Sequence, residues 1–358
     1  MNILHIVGVK QHVNGVSTVA SCLSREQRKL GHNVRVVNII TTADEICYLE
    51  KIHDIHSFID NITPENTDIV IFHSLYFMEY IKIASSLKHK KIPYLIQLHG
   101  ALSKQNYKKN FLKKWIANQL FFKKFIKSAS AIIYLNKHEI TNSIVPSINS
   151  DTIILPNGCY SPRQKTYNKA TQPFKLLYLG RIDKHHKGLD KLLDSLALLK
   201  KQGIRNFSID FYGRGEQKDM KWFKGQLAGI ADIASYHGAV FGEEKSDALA
   251  THNAMILTSR YEGMPMGILE ALSFGLPCII TPQTNMADVI AKYECGWITP
   301  LDHTIIANTI LTAQKQYSVS QAILSANAKA AASHYDWQNV ALESIKRYQS
   351  IIDRKKLQ

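Results

Sequence analysis

Hydrophobic residues along this chain gather into short runs separated by longer stretches of mixed character. In the first half the runs are residues 3–9, 34–40, 69–73, 94–99, 131–135 and 152–155; in the second they are 175–179, 208–212, 234–237, 254–258, 278–281 and 297–299. Most are continuously apolar and rich in Ile, Val, Leu and Tyr. That composition suits parallel strands covered on both faces better than half-exposed strands, which alternate. The stretches between them are long enough for helices. Strands alternating with helices predict right-handed βαβ units and a doubly wound sheet. The pattern occurs twice, so the fold class is α/β with two Rossmann-like parallel-sheet domains in series.

Residues 157–174 interrupt the pattern. They are polar and include Pro162, Gln172 and Pro173, as an interdomain linker would. The expected organisation is a first domain over 1–160, a linker over 161–173, a second domain over 174–335, and a C-terminal helix with a basic tail over 336–358. Trp337, Val340, Ala341, Ile345, Tyr348 and Ile352 recur at helical spacing and predict a helix over 337–352, with Asp336 as its N-cap. Residues 353–358 are expected to be solvated and frayed. Ligands of open α/β sheets lie beyond the carboxyl ends of the strands. Two such domains facing each other would form a cleft with one substrate on each side.

Composition adds constraints. The 358 residues, 45% hydrophobic and 20% charged, are ordinary for a globular protein and sufficient for two cores. Cys22, Cys47, Cys159, Cys278 and Cys295 are scattered without a C-x-x-C pair, which points to free thiols in a reducing compartment. The first residues lack the basic start and apolar run of a signal peptide. No stretch approaches the ~20 apolar residues of a spanning helix. The expectation is a cytoplasmic protein. A net charge of +15 favours polyanionic partners, whether nucleic acid, anionic membrane or phosphorylated substrate.

The chemistry concentrates in the second half. Gly180-Arg181 follows the run 175–179, and Lys187-Gly188 comes shortly after. A glycine at a strand end lets the backbone approach a ligand. Arg181 offers a planar fork for phosphate oxygens and Lys187 a compact charge, although both could equally be solvated cations, as Lys184 and His186 nearby suggest. Downstream, 254–258 predicts a strand, 259–266 a loop, and 267–274 a helix closed by Gly275 with Pro277 beyond. The N-terminus of that helix is a ready anion site, with Met266, Gly267 and Ile268 able to donate N–H groups and Pro265 unable to. Glu262 at the loop start and Glu270 one turn into the helix are acceptors suited to sugar hydroxyls. Their plainer readings are a loop carboxylate paired with Arg260 and a favourable charge in the first helical turn.

Two segments resemble a hallmark of glycosyltransferase family 4, the retaining, sugar-nucleotide-dependent enzymes of the GT-B fold. They are Tyr178-Leu179-Gly180-Arg181-Ile182 with Lys187-Gly188-Leu189, and Ser259-Arg260-Tyr261-Glu262-Gly263-Met264-Pro265 with Leu269-Glu270-Ala271 and Gly275-Leu276-Pro277. The likeness covers nearly the whole chain. Asn14-Gly15-Val16-Ser17 is similar to the family's first glycine loop, Gln97-Leu98-His99-Gly100 to its strand-end histidine, and Pro156-Asn157-Gly158 to its domain-end signature. The resemblance implies that Arg181 and Lys187 bind the donor diphosphate and stabilise it as a leaving group. It implies that Glu262 contacts the donor sugar, that Glu270 binds the ribose, and that Gly180 and the backbone at Met266, Gly267 and Ile268 hold phosphate or sugar. It places Gly15 near the diphosphate and His99, otherwise a satisfied strand-end histidine, near the transferred sugar. It also implies that the C-terminal helix returns to the first domain. Two departures stand out. Asn14-Gly15 replaces the common pair of glycines, and Pro265 takes a position often held by glycine, withdrawing one N–H donor.

No Asp-x-Asp and no His/Asp cluster at ligand spacing occurs, so no metal and no cofactor is expected. The donor is expected to be a nucleotide sugar, uridine favoured over guanosine. Leaving-group charge then falls to Arg181, Lys187 and the helix terminus.

Residues 103–128 hold eight lysines and no acidic residue, interleaved with Phe111, Trp115, Phe122 and Phe125. On a helix the aromatics form one stripe, suited to the core. Lys109, Lys113, Lys124 and Lys127 lie opposite, with Ile116 and Leu120 among them. That face suits docking on an anionic bilayer, a solvated surface or nucleic acid. The combined expectation is a cytoplasmic or peripheral inner-membrane glycosyltransferase of capsule, lipopolysaccharide or other surface-polysaccharide synthesis, taking a glycan or lipid-linked acceptor. The alternatives are an epimerase or phosphorylase of the same plan, and a basic nucleic-acid-binding protein, for which no recognised motif occurs. A dinucleotide oxidoreductase is disfavoured, because Gly213-Arg214-Gly215 lacks the third glycine of that fingerprint.

Overall fold

The structure, a computed structural model, describes residues 1–9, 14–40, 49–100, 121–162 and 173–357. The first half runs β1 (Asn2–Val7), α1 (Gly15–Lys29), β2 (Asn33–Asn38), β3 (Glu50–Lys51), α2 (Ile55–Asp60), β4 (Ile69–His73), α3 (Met78–His89), β5 (Tyr94–Gln97), α4 (Lys123–Ser128), β6 (Ala131–Tyr134), α5 (Lys137–Thr141) and β7 (Thr152–Ile154). The second runs β8 (Phe174–Leu179), α6 (Leu189–Lys201), β9 (Phe207–Tyr212), α7 (Gln217–Ala228), β10 (Ala234–Gly238), α8 (Gly242–Thr251), β11 (Ala254–Leu257), α9 (Met266–Ser273), β12 (Cys278–Ile280), α10 (Ala287–Tyr293), β13 (Gly296–Ile298) and α11 (His303–Ser333). Helix α12 (Trp337–Lys356) follows. The chain divides into two compact units, Met1–Gly158 with Trp337–Gln358, and Cys159–Asp336.

In unit 1 a seven-stranded parallel sheet has the order β3-β2-β1-β4-β5-β6-β7. Both faces are covered, so β4 and β5 are buried at every position. Leu4, Ile6, Val70 and Phe72 enter a large core with α3 and α4, while Val7 joins Ala20 of α1 in a smaller one. Helix α12 packs against α1 within this unit, the expected return of the C-terminal helix. Trp337, 1% exposed, fills the space over Gly158, where a Cβ would lie 2.5 Å from its ring. The helix continues to Lys356, past the 352 read from spacing, because the added residues are exposed and leave no apolar mark.

In unit 2 a six-stranded parallel sheet has the order β10-β9-β8-β11-β12-β13. Winding reverses between β8 and β11, which are neighbours in space although β9 and β10 lie between them along the chain. Helix α9 stops before Gly275, whose φ is +68°, as the glycine-stop reading expected. Helix α11, kinked at Ser320, packs on α6 and α9 and carries no counterpart in the hydrophobic runs. Cys22, Cys159, Cys278 and Cys295 form no disulfide among the described residues, and Cys47 lies outside them.

Candidate functional site

The reversal point of unit 2 brings together sequence segments some 75 residues apart. The loop after β8 carries Gly180 and Arg181, and the loop after β11 carries 258–265. These loops are wedged tightly. A Cβ on Gly213 (φ +155°) would lie 1.8 Å from the Gly180 carbonyl oxygen, and one on Gly188 (φ +62°) would lie 2.0 Å from that of Thr258. Only glycine fits either place. The glycines flanking Arg214 therefore serve loop-to-loop packing, which explains why the dinucleotide fingerprint stops short.

At this point Lys187 Nζ donates to Glu262 Oε1 at 2.5 Å, with the two side chains 12% and 11% exposed. Ser259 Oγ donates to the same oxygen at 2.7 Å, and His186 Nε2 lies 3.9 Å from it. Every contact of the carboxylate thus falls on Oε1. Oε2 has no partner among the described residues. Burial pushes the Glu262 carboxyl upward, but Lys187, His186 and the hydrogen bonds from Lys187 and Ser259 outweigh it and leave it below its usual value. The alternative pairing with Arg260 does not form: Arg260 instead makes a two-pronged pair with Asp190 at 2.8 and 2.7 Å. Asn285 Nδ2, donating to the Glu262 carbonyl at 2.6 Å, fixes the loop backbone.

Arg181 is 57% exposed, yet its guanidinium is anchored. It donates to His186 Nδ1 at 2.6 Å and pairs with Asp183 at 3.1 Å. His186 must then carry its proton on Nε2, which donates to the Tyr261 carbonyl at 2.7 Å. Burial, followed by the Lys187 and Arg181 cations against the pull of Glu262, lowers the imidazole below its usual value and keeps it neutral. Its ring stacks on Tyr261 at 4.2 Å. His186, which composition alone makes an ordinary loop residue, is the element that links Arg181 to the Lys187–Glu262 pair.

Helix α9 begins at Met266 with Pro265 as an N-cap that offers no side-chain bond. The N–H groups of Met266 and Gly267 have no partner among the described residues. Ile268 departs from expectation, because its N–H donates back to the Pro265 carbonyl at 3.2 Å. Gly267 sits where a Cβ would be 3.3 Å from the Leu179 carbonyl, so the helix start abuts the end of β8. Glu270 does not join the Glu262 group. Its Oε1 accepts from Lys245 of α8 at 2.7 Å, a partner that spacing could not reveal. Among the described residues no group of three or more His, Cys, Asp or Glu side chains is placed to hold a metal ion.

In unit 1, Asn14 caps α1 in extended backbone, accepting from Ser17 N–H at 3.0 Å while Ser17 Oγ accepts from Asn14 N–H at 3.1 Å. Any residue adopts that backbone, so a glycine is not required there. A Cβ on Gly15 would meet nothing within 4 Å, leaving the helix start open. His99 lies two residues past the end of β5 with φ +49°, and the next N–H, of Gly100, donates to buried Glu139 at 2.7 Å. Its ring stacks on that of His73 at 5.3 Å. Of the lysine-rich segment, Lys109, Lys113, Ile116 and Leu120 lie outside the described residues. Lys124 and Lys127 are exposed on α4, and Phe122 and Phe125 are buried in the core as the aromatic stripe implied. No described helix is long and apolar enough to cross a membrane.

Residues 173–316 match the family model described as Glycosyl transferases group 1. The chain is similar to the phosphatidyl-myo-inositol mannosyltransferase of Mycobacterium leprae, 23% identical over 57% of this chain and 55% of that protein. It is also similar to the O-antigen chain mannosyltransferase B of Escherichia coli, 26% identical over 62% of this chain and 58% of that protein. The matches thus span little more than half of these relatives' lengths. In fold it resembles the Anabaena protein HepE, solved in complex with UDP and glucose, at a TM-score of 0.75 and 16% identity, covering 98% of this chain and all of that one. The two parallel α/β sheets are GT-B-like.

Proposed function

We propose that this chain, whose second unit is a group 1 glycosyltransferase domain, moves a hexose or N-acetylhexosamine from a nucleoside-diphosphate sugar to a glycan or lipid-linked acceptor, with retention of configuration, in surface-polysaccharide or lipopolysaccharide synthesis. The observation that carries the reading is the buried Lys187–Glu262 pair at the sheet reversal, beside anchored Arg181 and the open N–H groups of Met266 and Gly267. Arg181 and Lys187 take the diphosphate, Glu262 a hydroxyl of the donor sugar through its unoccupied Oε2, and Glu270 the ribose. In unit 1, Gly15 approaches phosphate and His99 meets the sugar being transferred.

The acceptor hydroxyl attacks the anomeric carbon on the face from which the diphosphate departs. The bond from that carbon to the acceptor oxygen forms as its bond to the diphosphate oxygen breaks, and a donor phosphate oxygen takes the acceptor's proton. Charge growing on the diphosphate is met by Arg181, Lys187 and the start of α9, groups already in place before reaction. NMR of the product's anomeric proton tests this, and an inverted product overturns it. Both relatives named above are mannosyltransferases, and HepE was solved with UDP. A thermal-shift screen of uridine and guanosine nucleotide sugars is therefore the first experiment.

Two further outcomes are expected. Arg181→Ala and Glu270→Ala each weaken donor binding by roughly tenfold, the scale of one charge-assisted hydrogen bond, measured by calorimetry with the preferred nucleotide sugar. Unchanged affinity in both removes them from the site. The lysine face supports peripheral docking on anionic lipid, on the inner face of the cytoplasmic membrane. Liposomes rich in anionic lipid should carry the protein to the top of a gradient at low salt and release it at high salt. Absence of flotation at low salt ends that part of the proposal.

A further inference from the structure

The buried interior of unit 1 contains an unbroken chain of polar side chains with a direction. Ser344 Oγ on α12 lies 2.7 Å from the Ala341 carbonyl, to which it can only donate. Its oxygen therefore accepts from Gln27 Nε2 on α1, at 2.9 Å. The other side of that amide, Gln27 Oε1, lies 2.9 Å from His5 Nε2 on β1, which must carry the proton. His5 Nδ1 is then bare and accepts from His73 Nε2, at 2.9 Å across to β4. His73 Nδ1 is bare in turn and accepts from His99 Nε2, at 3.0 Å. His5, Gln27, His73 and Ser344 are all fully buried, out of reach of bulk solvent. Burial lowers all three imidazoles, His5 to about 4, His99 to about 3 and His73 well below its ordinary value. Each ring is therefore neutral, with one donor and one acceptor nitrogen.

The direction of the chain fixes the state of its last atom, His99 Nδ1. It must be unprotonated, and it has no partner among the described residues. We propose that His73, His5, Gln27 and Ser344 are positioning residues that hold His99 as its Nε2–H tautomer, so that bare Nδ1 accepts a hydrogen bond from a sugar hydroxyl. The proposal rests on the reading of His99 as the residue that meets the transferred sugar. Without the anchor, His99 could present an N–H in place of a lone pair, and a hydroxyl oriented to donate would be misplaced.

Gln27→Leu tests the direction. An N–H at His5 Nε2 would then face hydrocarbon, at the cost of an unsatisfied buried donor. The chain relieves this by reversing, which moves the exposed N–H to His99 Nδ1. Gln27→Glu keeps an acceptor and keeps the original direction. Long-range proton–nitrogen correlation on the full chain with ring-labelled histidine reads the tautomers directly. In the unaltered protein all three rings should be protonated on Nε2 alone, unchanged between pH 8 and 6. Gln27→Leu should shift His99 to Nδ1–H and lower kcat roughly tenfold at unchanged affinity for the free nucleoside diphosphate, while Gln27→Glu retains both tautomer and rate. A proton on His99 Nδ1 in the unaltered protein overturns the inference, as does an unshifted tautomer in Gln27→Leu. Full activity in His99→Ala removes the underlying reading and the inference with it. Loss of activity in His99→Ala alongside a His99 Nδ1–H ring removes the inference alone. Since the unaltered protein already decides the tautomer, poor folding of Gln27→Leu leaves the proposal open to refutation.

Discussion

Glu262→Ala should lower kcat by at least about a hundredfold, the scale of losing one preorganised charged contact to a reacting sugar. Affinity for the free nucleoside diphosphate should meanwhile hold or rise. The reason lies in the pair at the sheet reversal. Lys187 Nζ is committed to Glu262 Oε1 at 2.5 Å, so the carboxylate competes with phosphate for the same ammonium group. Removing the carboxylate frees the cation, whereas Lys187→Met leaves an uncompensated carboxylate facing the phosphates and should weaken diphosphate binding strongly. Losing one partner of a fully buried pair costs about 3–5 kcal/mol, and the small exposure of both groups lets Lys187 turn outward and lessen that cost. A lower melting temperature is therefore expected, and Glu262→Gln, which keeps the shape, separates folding from turnover. Calorimetry with the diphosphate alone and turnover with the full donor give the two readings. Turnover within about twofold of the unaltered protein would remove Glu262 from the site.

Acid should unfold unit 1 from an unusually mild pH. His5, His73 and His99 have folded-state values pushed below 6.5, chiefly by burial and for His5 also by the nearby Arg28 cation. The unfolded chain binds protons that the folded chain refuses. The stability these groups contribute is present above pH 6.5 and is lost as pH falls toward 4 and below. Each such histidine adds a slope approaching about 1.4 kcal/mol per pH unit once its unfolded form is protonated. His186 of unit 2 adds in the same direction, while Glu139, raised by burial, opposes it. Between pH 6.5 and 5 few carboxylates titrate, so the histidines dominate that window. Urea midpoints across it should fall steeply, and His5→Gln should flatten the fall. A slope below one proton per molecule would contradict the buried, neutral state of the three rings.

What the sequence revealed and what it hid follow from the range of each interaction. Buried parallel strands announce themselves as unbroken apolar runs, so every sheet strand except two-residue β3 lies in a run visible beforehand. Helix α11 left no strand-like run: its first half buries Ile306, Ile310 and Tyr317 only at every third or fourth position or wider, and its second half buries the small Ala328, Ala331 and Ala332. The Glu262 and Arg181 motifs were legible because chemistry and loop geometry both constrain them locally. His186, Lys245 and the His5–His73–His99 chain were not. Their meaning lies in partners distant along the chain, 25 residues for Lys245, 22 and 68 for His5 and 75 for His186, and an isolated histidine in a strand carries no mark of what stands beside it. The plain alternative for His99, a satisfied strand-end histidine, describes its Nε2 and leaves out its other nitrogen.

Helix α12 also sets a timetable. Ser344 is 317 residues from the Gln27 side chain it completes. At synthesis rates of about 5–20 residues per second, α1 waits on the order of 15–60 s for its covering helix. Unit 2, contiguous from Cys159 to Asp336, emerges entirely within that interval. During translation the later unit has all its parts while the earlier one still presents the bare flank of α1 and the space Trp337 will fill. Newborn chains are most exposed to holdase chaperones and proteases on that flank.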